Sequence, residues 1–426
     1  MKTVIMAGGA GTRISSVFPD IPKPLIPIGG TAVLEREIKE LALQGFDDII
    51  LTLSHKADAI VSHFGDGSRL GVRIEYFIEE SPLGNAGALY ELKDKLTSDF
   101  LLLNADTVFS VDFNRFVAYH RKKGGLATLF THPNDHPYDS GLIVADETGA
   151  VAKWFAKEDE RPLYYKNRVN AGLHVLSCEI LKARPDTPKV DLDRQLLKPL
   201  AGGGRMFCYD SPEYVRDMGT PERFESVCSD FAAGKVTGRN LKNKQKAIFL
   251  DRDGTINRYV GFLRSCDEFE LEDHAAEAIK MINGSEYLAV VVTNQPVIAR
   301  GEVSVDGLNM IHNKMETLLG SEGAYVDRIY YCPHHPDSGF DGEIASLKID
   351  CNCRKPKPGM LLRAASDLNI DLEASWMIGD GMNDIGAGKN AGTKTALIKR
   401  ENTEMTYMPD ITGSDLADVV RQILRR

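Results

Sequence analysis

The chain has 426 residues, 26% of them charged and 43% hydrophobic, which suggests two or three globular domains and excludes collagen-like, disordered and miniprotein classes. Its 51 basic and 61 acidic residues give a formal net charge of −10, which excludes a general binder of nucleic acid. Seven irregularly spaced cysteines, no apolar run that could span a bilayer and no signal-like start lead us to expect a cytoplasmic protein without nucleic-acid or membrane partners.

The first half of the chain alternates short apolar runs with amphipathic stretches. Apolar residues at helical spacing predict a helix over residues 32–45, which ends at Gly45, and another over residues 86–96. Runs rich in Val, Ile and Leu predict buried strands of a largely parallel sheet at residues 2–6, 47–53, 72–78 and 99–104. This alternation indicates an α/β fold.

The pattern lapses over residues 233–245, which carry basic residues but no acidic residue and no apolar period. Predicted strands then resume at residues 246–251, 288–294 and 375–380. We therefore predict two Rossmann-like three-layer α/β domains, residues 1–232 and 246–426, joined by a linker.

A glycine-rich turn, GGAGTR, follows the first predicted strand at residues 8–13. Glycines at this place let backbone N–H groups approach a phosphate closely, and Arg13 and Lys23 add positive charge. The turn matches neither the dinucleotide pattern G-x-G-x-x-G nor the Walker pattern, so it is weak evidence by itself.

The longer series of motifs resembles the signature of sugar-1-phosphate nucleotidyltransferases over residues 1–230. The resemblance implies a nucleotidyltransferase fold in which a sugar 1-phosphate attacks the α-phosphorus of a nucleoside triphosphate and pyrophosphate leaves. That reaction depends on positioning and charge neutralisation. The matching segments are GGAGTR with PKP at 22–24, EESPLGNAGAL at 79–89, LLLNADTVF at 101–109, VNAGLHVLS at 169–177 and VRDMGTPERF at 215–224.

The resemblance also implies roles for single residues. Asp106 and Asp217 would bind magnesium, although a turn-forming aspartate is the alternative for Asp106. Arg13 would stabilise the departing pyrophosphate, and Lys23 would hold the α-phosphate. The family usually has Glu-Lys after a phenylalanine, whereas this chain has the reverse order, Lys-Glu, at residues 157–158. Lys157 would replace the family lysine, and a solvated charged turn is the alternative. The remaining substrate contacts would be Gly8 and Gly9 against the nucleotide, Gly84 near the base, and Asn170 with Gly172 near the sugar phosphate.

The second half contains its own set of polar residues at predicted strand ends. DRDGTIN at residues 251–257 places Asp251 and Asp253 two residues apart, so a bound cation is expected between them, with a solvated Asp-Gly turn as the alternative. Later segments supply Thr293, Asn294, Lys355, Asp380 and Asp384.

This ordered set resembles the haloacid dehalogenase superfamily over residues 246–400. The resemblance implies that Asp251 attacks phosphorus to form an aspartyl-phosphate, while Asp253 protonates the leaving oxygen and then deprotonates water. The phosphoryl oxygens would be held by Thr293 and Lys355, and Asn294 would be a further substrate-binding residue. Magnesium would bind Asp251, the backbone carbonyl of Asp253, and Asp380, with support from Asp384.

Two short segments of the second half, YCPHHP and DCNCRKPKPG, combine three cysteines with histidine. Three sulfurs and one imidazole are the composition of a closed structural zinc site, and buried free cysteines are the alternative. The neighbouring His335 is an alternative to His334 as the nitrogen ligand. The predicted zinc ligands are Cys332, His334, Cys351 and Cys353.

These segments resemble D-glycero-D-manno-heptose 1,7-bisphosphate 7-phosphatases and the related histidinol phosphatases. The resemblance implies that zinc pins a loop and places Arg354 where it recognises the distal phosphate. The chain departs from the family pattern at Pro296, Val297 and Gly381 and in YVGF at residues 259–262, so we expect the core chemistry to be kept and the substrate contacts to differ.

The two predicted activities share one metabolite, because a heptose bisphosphatase releases the sugar 1-phosphate that a nucleotidyltransferase consumes. The first half resembles the guanylyltransferase that makes GDP-heptose. We therefore expect a bifunctional enzyme with Mg²⁺ in both domains and structural Zn²⁺, acting on heptose 1,7-bisphosphate, heptose 1-phosphate and GTP. The alternatives for function are the same two reactions on another sugar or nucleotide, a second half that acts as a histidinol phosphatase, and a sensor with degraded sites. A homo-oligomer is also possible.

Overall fold

The structure is a computed structural model that describes residues 1–9, 13–400 and 405–426, without the side chain of Asp139. The described residues divide by contact into two compact units. The first unit comprises Met1–His132, Gly141–Ala156 and Val169–Asn240. The second comprises Pro133–Ser140, Lys157–Arg168 and Leu241–Arg426. Two segments that interrupt the sequence of the first unit therefore belong to the second.

Strands and helices alternate in the first unit, as the apolar pattern predicts. Its strands are β1 (Lys2–Met6), β2 (Pro27–Ile28), β3 (Thr31–Ala32), β4 (Asp48–Leu53), β5 (Arg73–Ile78), β6 (Phe100–Asn104), β7 (Thr107–Ser110), β8 (Ala127–His132), β9 (Leu142–Ala145), β10 (Val151–Phe155), β11 (Val169–Leu176), β12 (Met206–Asp210) and β13 (Tyr214–Asp217). Its α-helices are α1 (Val33–Ala42), α2 (Ala57–Phe64), α3 (Gly87–Glu91), α4 (Phe113–Lys123), α5 (Pro221–Ala232) and α6 (Lys235–Gly238).

The main sheet of the first unit is mixed rather than largely parallel. Its main path runs in the order β10-β9-β11-β6-β1-β4-β5, with β8 and β12 joined through β11. The four predicted strands, now β1, β4, β5 and β6, pair in parallel, but β11 runs antiparallel to β6. Since β1 and β6 are parallel neighbours, the residues that follow them meet at one edge of the sheet.

Side chains from the central strands alternate between two apolar cores. Ile5 and Leu51 face one core, whereas Val4 and Ile50 face the other, and all four are buried. Because both faces of the sheet are covered, these strands read as continuous apolar runs rather than alternating ones. This arrangement is the expected three-layer architecture.

Two sequence expectations differ from the observed elements. The helix predicted over residues 86–96 is reduced to α3, and a turn follows it. The segment predicted as a linker contains α6 and is packed, because Val236 and Leu241 each insert into an apolar cluster. The change of unit falls between Asn240 and Leu241.

The main sheet of the second unit is entirely parallel among the residues described, in the order β16-β15-β14-β17-β18-β19. Its strands are β14 (Lys246–Leu250), β15 (Tyr287–Asn294), β16 (Arg328–Cys332), β17 (Trp376–Gly379), β18 (Lys394–Ile398) and β19 (Ile411–Gly413). Its α-helices are α7 (Ala275–Asn283), α8 (Pro296–Ala299), α9 (Val305–Ser321), α10 (Gly359–Leu368), α11 (Met382–Ala391) and α12 (Leu416–Leu424).

The centre of this second sheet positions the polar residues that the sequence singles out. Strands β15, β14 and β17 are neighbours, and their carboxyl ends lead to Asn294, Asp251 and Asp380. Ligands of open parallel sheets collect at this edge. None of the helices in the described part of the chain combines the length and apolar character needed to cross a membrane.

Candidate active sites

Three carboxylates converge at the carboxyl edge of the second sheet. Asp251 follows β14, Asp380 follows β17 and Asp384 lies in α11, and one oxygen from each lies within 4.8 Å of the others. Lys355 Nζ lies 2.8 Å from Asp251 Oδ1 and 2.6 Å from Asp384 Oδ1. Predicted nucleophile, phosphate-binding lysine and metal ligands are thus brought together.

The electrostatics of this cluster favour an additional cation. Burial raises the pKa of Asp251, and the charge of Asp384 raises it further, against the opposing effect of Lys355. Burial and Asp251 likewise raise the pKa of Asp380. Close carboxylates with raised pKa values signal uncompensated negative charge, and oxygen ligands in this number suit Mg²⁺. The donor set therefore fits the predicted magnesium site.

Gly254 allows the backbone to pass close to this cluster. Its φ is +79°, and a Cβ placed on it would lie 2.1 Å from Asp380 Oδ2. A side chain at this position would both strain the backbone and displace the carboxylate. The glycine of the DRDGT motif is therefore needed to admit Asp380.

The carboxylate of Asp253, the predicted general acid and base, is held by three residues that the sequence reasoning missed: Arg252, Gln295 and Asn257, whose Nδ2 donates to Asp253 Oδ1 at 3.1 Å. Arg252 Nη2 donates to Asp253 Oδ1 and Oδ2 at 2.8 and 2.9 Å, and Gln295 Nε2 donates to Oδ2 at 2.8 Å. Gln295 also donates to Thr293 Oγ1 at 2.8 Å. Arg252 is fully buried, and its Nη1 lies 3.3 Å from His312 Nε2. The arginine between the two motif aspartates was the available signal.

Other predicted residues of this unit hold the loop that carries Lys355. Asn294 Nδ2 donates to the Lys355 carbonyl at 3.1 Å, and the Lys355 N–H donates to Asn294 Oδ1 at 3.0 Å. Arg354 Nη1 donates to the His334 carbonyl at 3.3 Å. Arg400, which the sequence reasoning also missed, places Nε 3.0 Å from Asp380 Oδ2.

The predicted zinc ligands form one compact group. Cys353 Sγ lies 3.2 Å from the sulfurs of both Cys332 and Cys351, and His334 Nδ1 lies 3.3 Å from Cys353 Sγ. One ligand atom from each of the four lies within 4.8 Å of the others. Tetrahedral Zn²⁺ needs this composition and a similar closeness, so the cluster could hold zinc.

His335, the alternative ligand, points elsewhere. Its Nε2 lies 3.3 Å from Arg300 Nη2, and its Nδ1 accepts the Asp337 N–H at 3.2 Å. The structure therefore places His334, and not His335, in the cluster.

We predict that Cys353→Ser lowers the zinc content and the thermal stability of the second unit. Structural zinc contributes about 10 kcal/mol or more of folding free energy in small sites, so loss of the metal should lower the melting transition by about 20 °C or more. Metal analysis and a thermal melt measure both effects. Cys266→Ser, a half-buried cysteine of the same unit outside the cluster, is the matched control. Full zinc content in folded Cys353→Ser protein would contradict the assignment.

A second group of charged residues converges in the first unit. Strand β13 pairs antiparallel with β7, so that Asp217 lies opposite Thr107, the neighbour of Asp106. Lys23 forms an ion pair with Asp106. Arg223, which the sequence reasoning missed, donates to both carboxylate oxygens of Asp217 at 2.8 and 3.0 Å.

Gly219 shows how closely these groups approach one another. A Cβ placed on Gly219 would lie 3.0 Å from Asp217 Oδ1, 3.2 Å from Arg13 Nη2 and 3.3 Å from Lys23 Nζ. The predicted phosphate-binding cations and a predicted metal ligand therefore surround one backbone position. Residues 10–12 of the predicted glycine-rich turn lie outside the described residues.

The two acidic groups beside these cations differ in their electrostatics. Burial raises the pKa of Asp217, but Arg223 and the Gly219 N–H outweigh it, and the pKa is lowered overall. Glu37, which the sequence reasoning missed, is buried in α1, and burial together with the charge of Asp106 raises its pKa well above the usual value. Asp217 is therefore held in its anionic form, which its predicted role as a metal ligand requires.

The remaining predicted contacts are placed as follows. The Gly8 carbonyl accepts the hydroxyl of Ser54 at 2.5 Å, and Gly9 is exposed. Gly84 lies against Val190, where a Cβ would approach the Val190 carbonyl to 2.4 Å. Lys157 is exposed and falls in the second unit, whereas Asn170 and Gly172 fall in the first.

Asn170 is oriented by a buried histidine. Asn170 Oδ1 lies 3.3 Å from the Gly172 N–H and 3.1 Å from His174 Nε2. An amide oxygen that receives two donors leaves its NH₂ group for a ligand acceptor. Burial lowers the pKa of His174 to about 4, so the imidazole is neutral throughout the physiological range.

We predict that His174→Phe raises KM for the sugar 1-phosphate by about tenfold, because Asn170 loses the donor that orients it. The KM for the nucleoside triphosphate should stay unchanged. Initial rates of pyrophosphate release measure both constants. His63→Phe, a change of a half-exposed histidine in the same unit, is the control. An equal rise in both KM values would contradict a role confined to the sugar.

Comparisons with known proteins agree with two separate sites. A nucleotidyl transferase family model matches residues 2–232, and a HAD-hydrolase-like model matches residues 352–423. The D-glycero-β-D-manno-heptose-1,7-bisphosphate 7-phosphatase of Pasteurella multocida is 44% identical over 162 residues, 38% of this chain and 85% of that protein.

Two further matches cover the first half. The mannose-1-phosphate guanylyltransferase of Mycobacterium tuberculosis is 31% identical over 237 residues, 55% of this chain. The match spans 65% of that protein, less than two thirds of its length. The crystal structure of HddC from Yersinia pseudotuberculosis is 28% identical, covers 54% of this chain and 99% of its own, and has a TM-score of 0.47.

The nucleotidyl transferase match contains the first charged centre, with Asp106 and Asp217, and the HAD-hydrolase-like match contains Lys355, Asp380 and Asp384 of the second. The chain therefore belongs to the nucleotidyl transferase family over residues 2–232 and, in its C-terminal part, to the haloacid-dehalogenase-like phosphatases, and is a bifunctional enzyme that combines a nucleotidyltransferase with a phosphatase.

Proposed function

We propose that the second unit removes the 7-phosphate of D-glycero-D-manno-heptose 1,7-bisphosphate and that the first unit transfers GMP from GTP to the resulting heptose 1-phosphate. The observation that carries this proposal is the match to a heptose bisphosphate phosphatase over most of that protein's length, on the same chain as a nucleotidyltransferase. The guanylyltransferase relative supports GTP as the nucleotide. The expected cytoplasmic location would supply GTP to the enzyme.

The phosphatase step begins with Asp251. Its carboxylate oxygen forms a bond to phosphorus while the bond to the sugar oxygen breaks, and Asp253 gives its proton to that oxygen. Lys355 lies 2.8 Å from Asp251, where it would neutralise the phosphoryl oxygens. Asp253 then takes a proton from water, whose oxygen attacks the aspartyl-phosphate and releases inorganic phosphate.

The transferase step needs no covalent intermediate. An oxygen of the sugar 1-phosphate forms a bond to the α-phosphorus of GTP, and the bond to the bridging oxygen breaks as pyrophosphate leaves. Arg13 and Lys23, which meet at Gly219, would neutralise the charge that moves onto the phosphates. Asn170 would present its NH₂ group to the sugar.

Metal ions would complete both centres. Asp251 and Asp380 in the second unit, and Asp106 with Asp217 in the first, would hold Mg²⁺, which neutralises phosphate charge when bound. The Cys332, His334, Cys351 and Cys353 cluster would hold Zn²⁺ and fix the loop that carries Arg354.

A substrate panel tests this proposal. Phosphate release should be at least about tenfold more efficient, by kcat/KM, from heptose 1,7-bisphosphate than from histidinol phosphate. Pyrophosphate release with heptose 1-phosphate should be fastest with GTP among the common nucleoside triphosphates. Faster hydrolysis of histidinol phosphate would overturn the phosphatase assignment, and a preference for another nucleotide would overturn the guanylyl assignment.

A further inference from the structure

Residues 157–168, here called the bracing segment, lie in sequence between β10 and β11 of the first unit but belong to the second. The segment ends at Arg168, which is 3% exposed. Arg168 Nη1 lies 3.0 Å from Glu316 Oε2 in α9, and the Asn167 N–H donates to the same oxygen at 3.0 Å. Both charged side chains of this pair are almost completely buried.

Further bonds tie the bracing segment to its surroundings in this unit. The Tyr165 N–H donates to Thr317 Oγ1 at 2.9 Å, and Thr317 Oγ1 donates to the Tyr165 carbonyl at 3.2 Å. Arg168 Nη2 donates to the Asp327 carbonyl at 3.1 Å, just before β16. The segment therefore contacts α9 along its backbone as well as through one ion pair.

Helix α9 leads from this ion pair to the phosphatase centre. His312 lies four residues before Glu316 and hence on the same face of the helix. Its Nε2 lies 3.3 Å from Arg252 Nη1, and Arg252 in turn holds the carboxylate of Asp253. Arg252 and His312 are both buried, so neither can move without a shift of the packing around it.

We propose that the bracing segment is a positioning element of the phosphatase: its Arg168 fixes α9 through Glu316, and α9 fixes Arg252 and Asp253 through His312. This inference rests on the proposed role of Asp253 in proton transfer. The phosphatase is then completed by residues encoded inside the nucleotidyltransferase sequence. Arg168 is a positioning residue, since it acts on Asp253 through three other side chains.

The energetics explain why the pair would act as a brace. A buried ion pair contributes little net stability over apolar side chains, but removal of one partner leaves an uncompensated charge and is strongly unfavourable. Arg168→Met would leave the buried Glu316 carboxylate with the Asn167 N–H but without the guanidinium, and this loss of charge compensation favours a shift of α9 that hydrates the carboxylate. Replacement of both Arg168 and Glu316 by methionine leaves no buried carboxylate to hydrate, so α9 should return to its wild-type position.

The test uses full-length protein at 20 °C, with circular dichroism to establish that each variant is folded. Arg168→Met should lower kcat for phosphate release by about tenfold with KM nearly unchanged, while pyrophosphate release from supplied sugar 1-phosphate stays within about twofold of wild type. Arg168→Lys keeps the positive charge and should retain most of the activity. It is the variant to be measured if Arg168→Met fails to fold. Arg168→Met/Glu316→Met should recover most of the lost kcat.

A matched control and a double-mutant cycle make the test specific. Arg161 in the same segment donates to the carbonyls of Pro137 and Ser140, so Arg161→Met should leave kcat unchanged. The effects of Arg168→Met and His312→Gln should be less than multiplicative, because both act on one path. Wild-type kcat in folded Arg168→Met protein, or multiplicative effects in the cycle, would overturn the inference. A wild-type enzyme without phosphatase activity would instead refute the proposed function.

Discussion

Asp251→Asn is expected to lower phosphate release by at least about 1,000-fold while pyrophosphate release from supplied heptose 1-phosphate remains. The amide cannot form the aspartyl-phosphate, and nucleophile removal in enzymes that work through a covalent intermediate has effects of at least this size. Stability should change little, because Asp251 is a carboxylate whose pKa is raised by burial and by Asp384. The substitution therefore removes an unfavourable charge along with one contact of Lys355.

The measurement is a coupled assay of both products on the same preparation. Asp273→Asn, which changes an exposed carboxylate of the second unit, is the control. If both activities vanish together in folded Asp251→Asn protein, the two-site model is wrong.

Asp106→Asn should have the opposite pattern, with pyrophosphate release reduced by about 100-fold or more and phosphate release unchanged. Asp106 forms the ion pair with Lys23 and lies beside Asp217, so its loss removes a proposed metal ligand and frees the cation that would hold the α-phosphate. Loss of electrostatic stabilisation at one position typically costs this much in rate.

Titration with Mg²⁺ separates the two effects of Asp106→Asn. A weakened metal site predicts that a higher Mg²⁺ concentration is needed for half-maximal rate. Asp94→Asn changes an exposed carboxylate of the same unit and should leave the Mg²⁺ dependence as in wild type. An unchanged rate and Mg²⁺ dependence in Asp106→Asn would show that this carboxylate holds no catalytic metal.

Several features of the molecule could be predicted from local sequence. Apolar runs predicted the central strands of both sheets, because strands covered on two faces need apolar side chains at every position. Polar residues at the ends of those runs predicted where Asp251 and Asp380 meet, since parallel strands bring their carboxyl ends to one edge. The composition of the Cys332 and Cys351 segments likewise predicted a metal-binding cluster.

Other features depend on partners that are far apart in sequence. Residue type cannot decide between His334 and His335, because both are histidines at adjacent positions. The direction of each side chain in the fold decides which one joins the cysteines. Arg400 reaches Asp380 from beyond β18, and Arg223 reaches Asp217 from a different element, α5, although the two residues are close in sequence. Such contacts form only when the fold brings the segments together.

The amino-acid sequence by itself determined that the chain has two α/β halves, and it predicted many of the charged side chains that the structure brings together in each. Only the tertiary structure decided that the predicted linker is packed and that residues 157–168 belong to the second unit. The physical reason is the range of the interactions involved. Strand and turn patterns reflect the burial of residues that are neighbours in sequence. Arg168 and Glu316 are 148 positions apart, so no local pattern could predict that they pair.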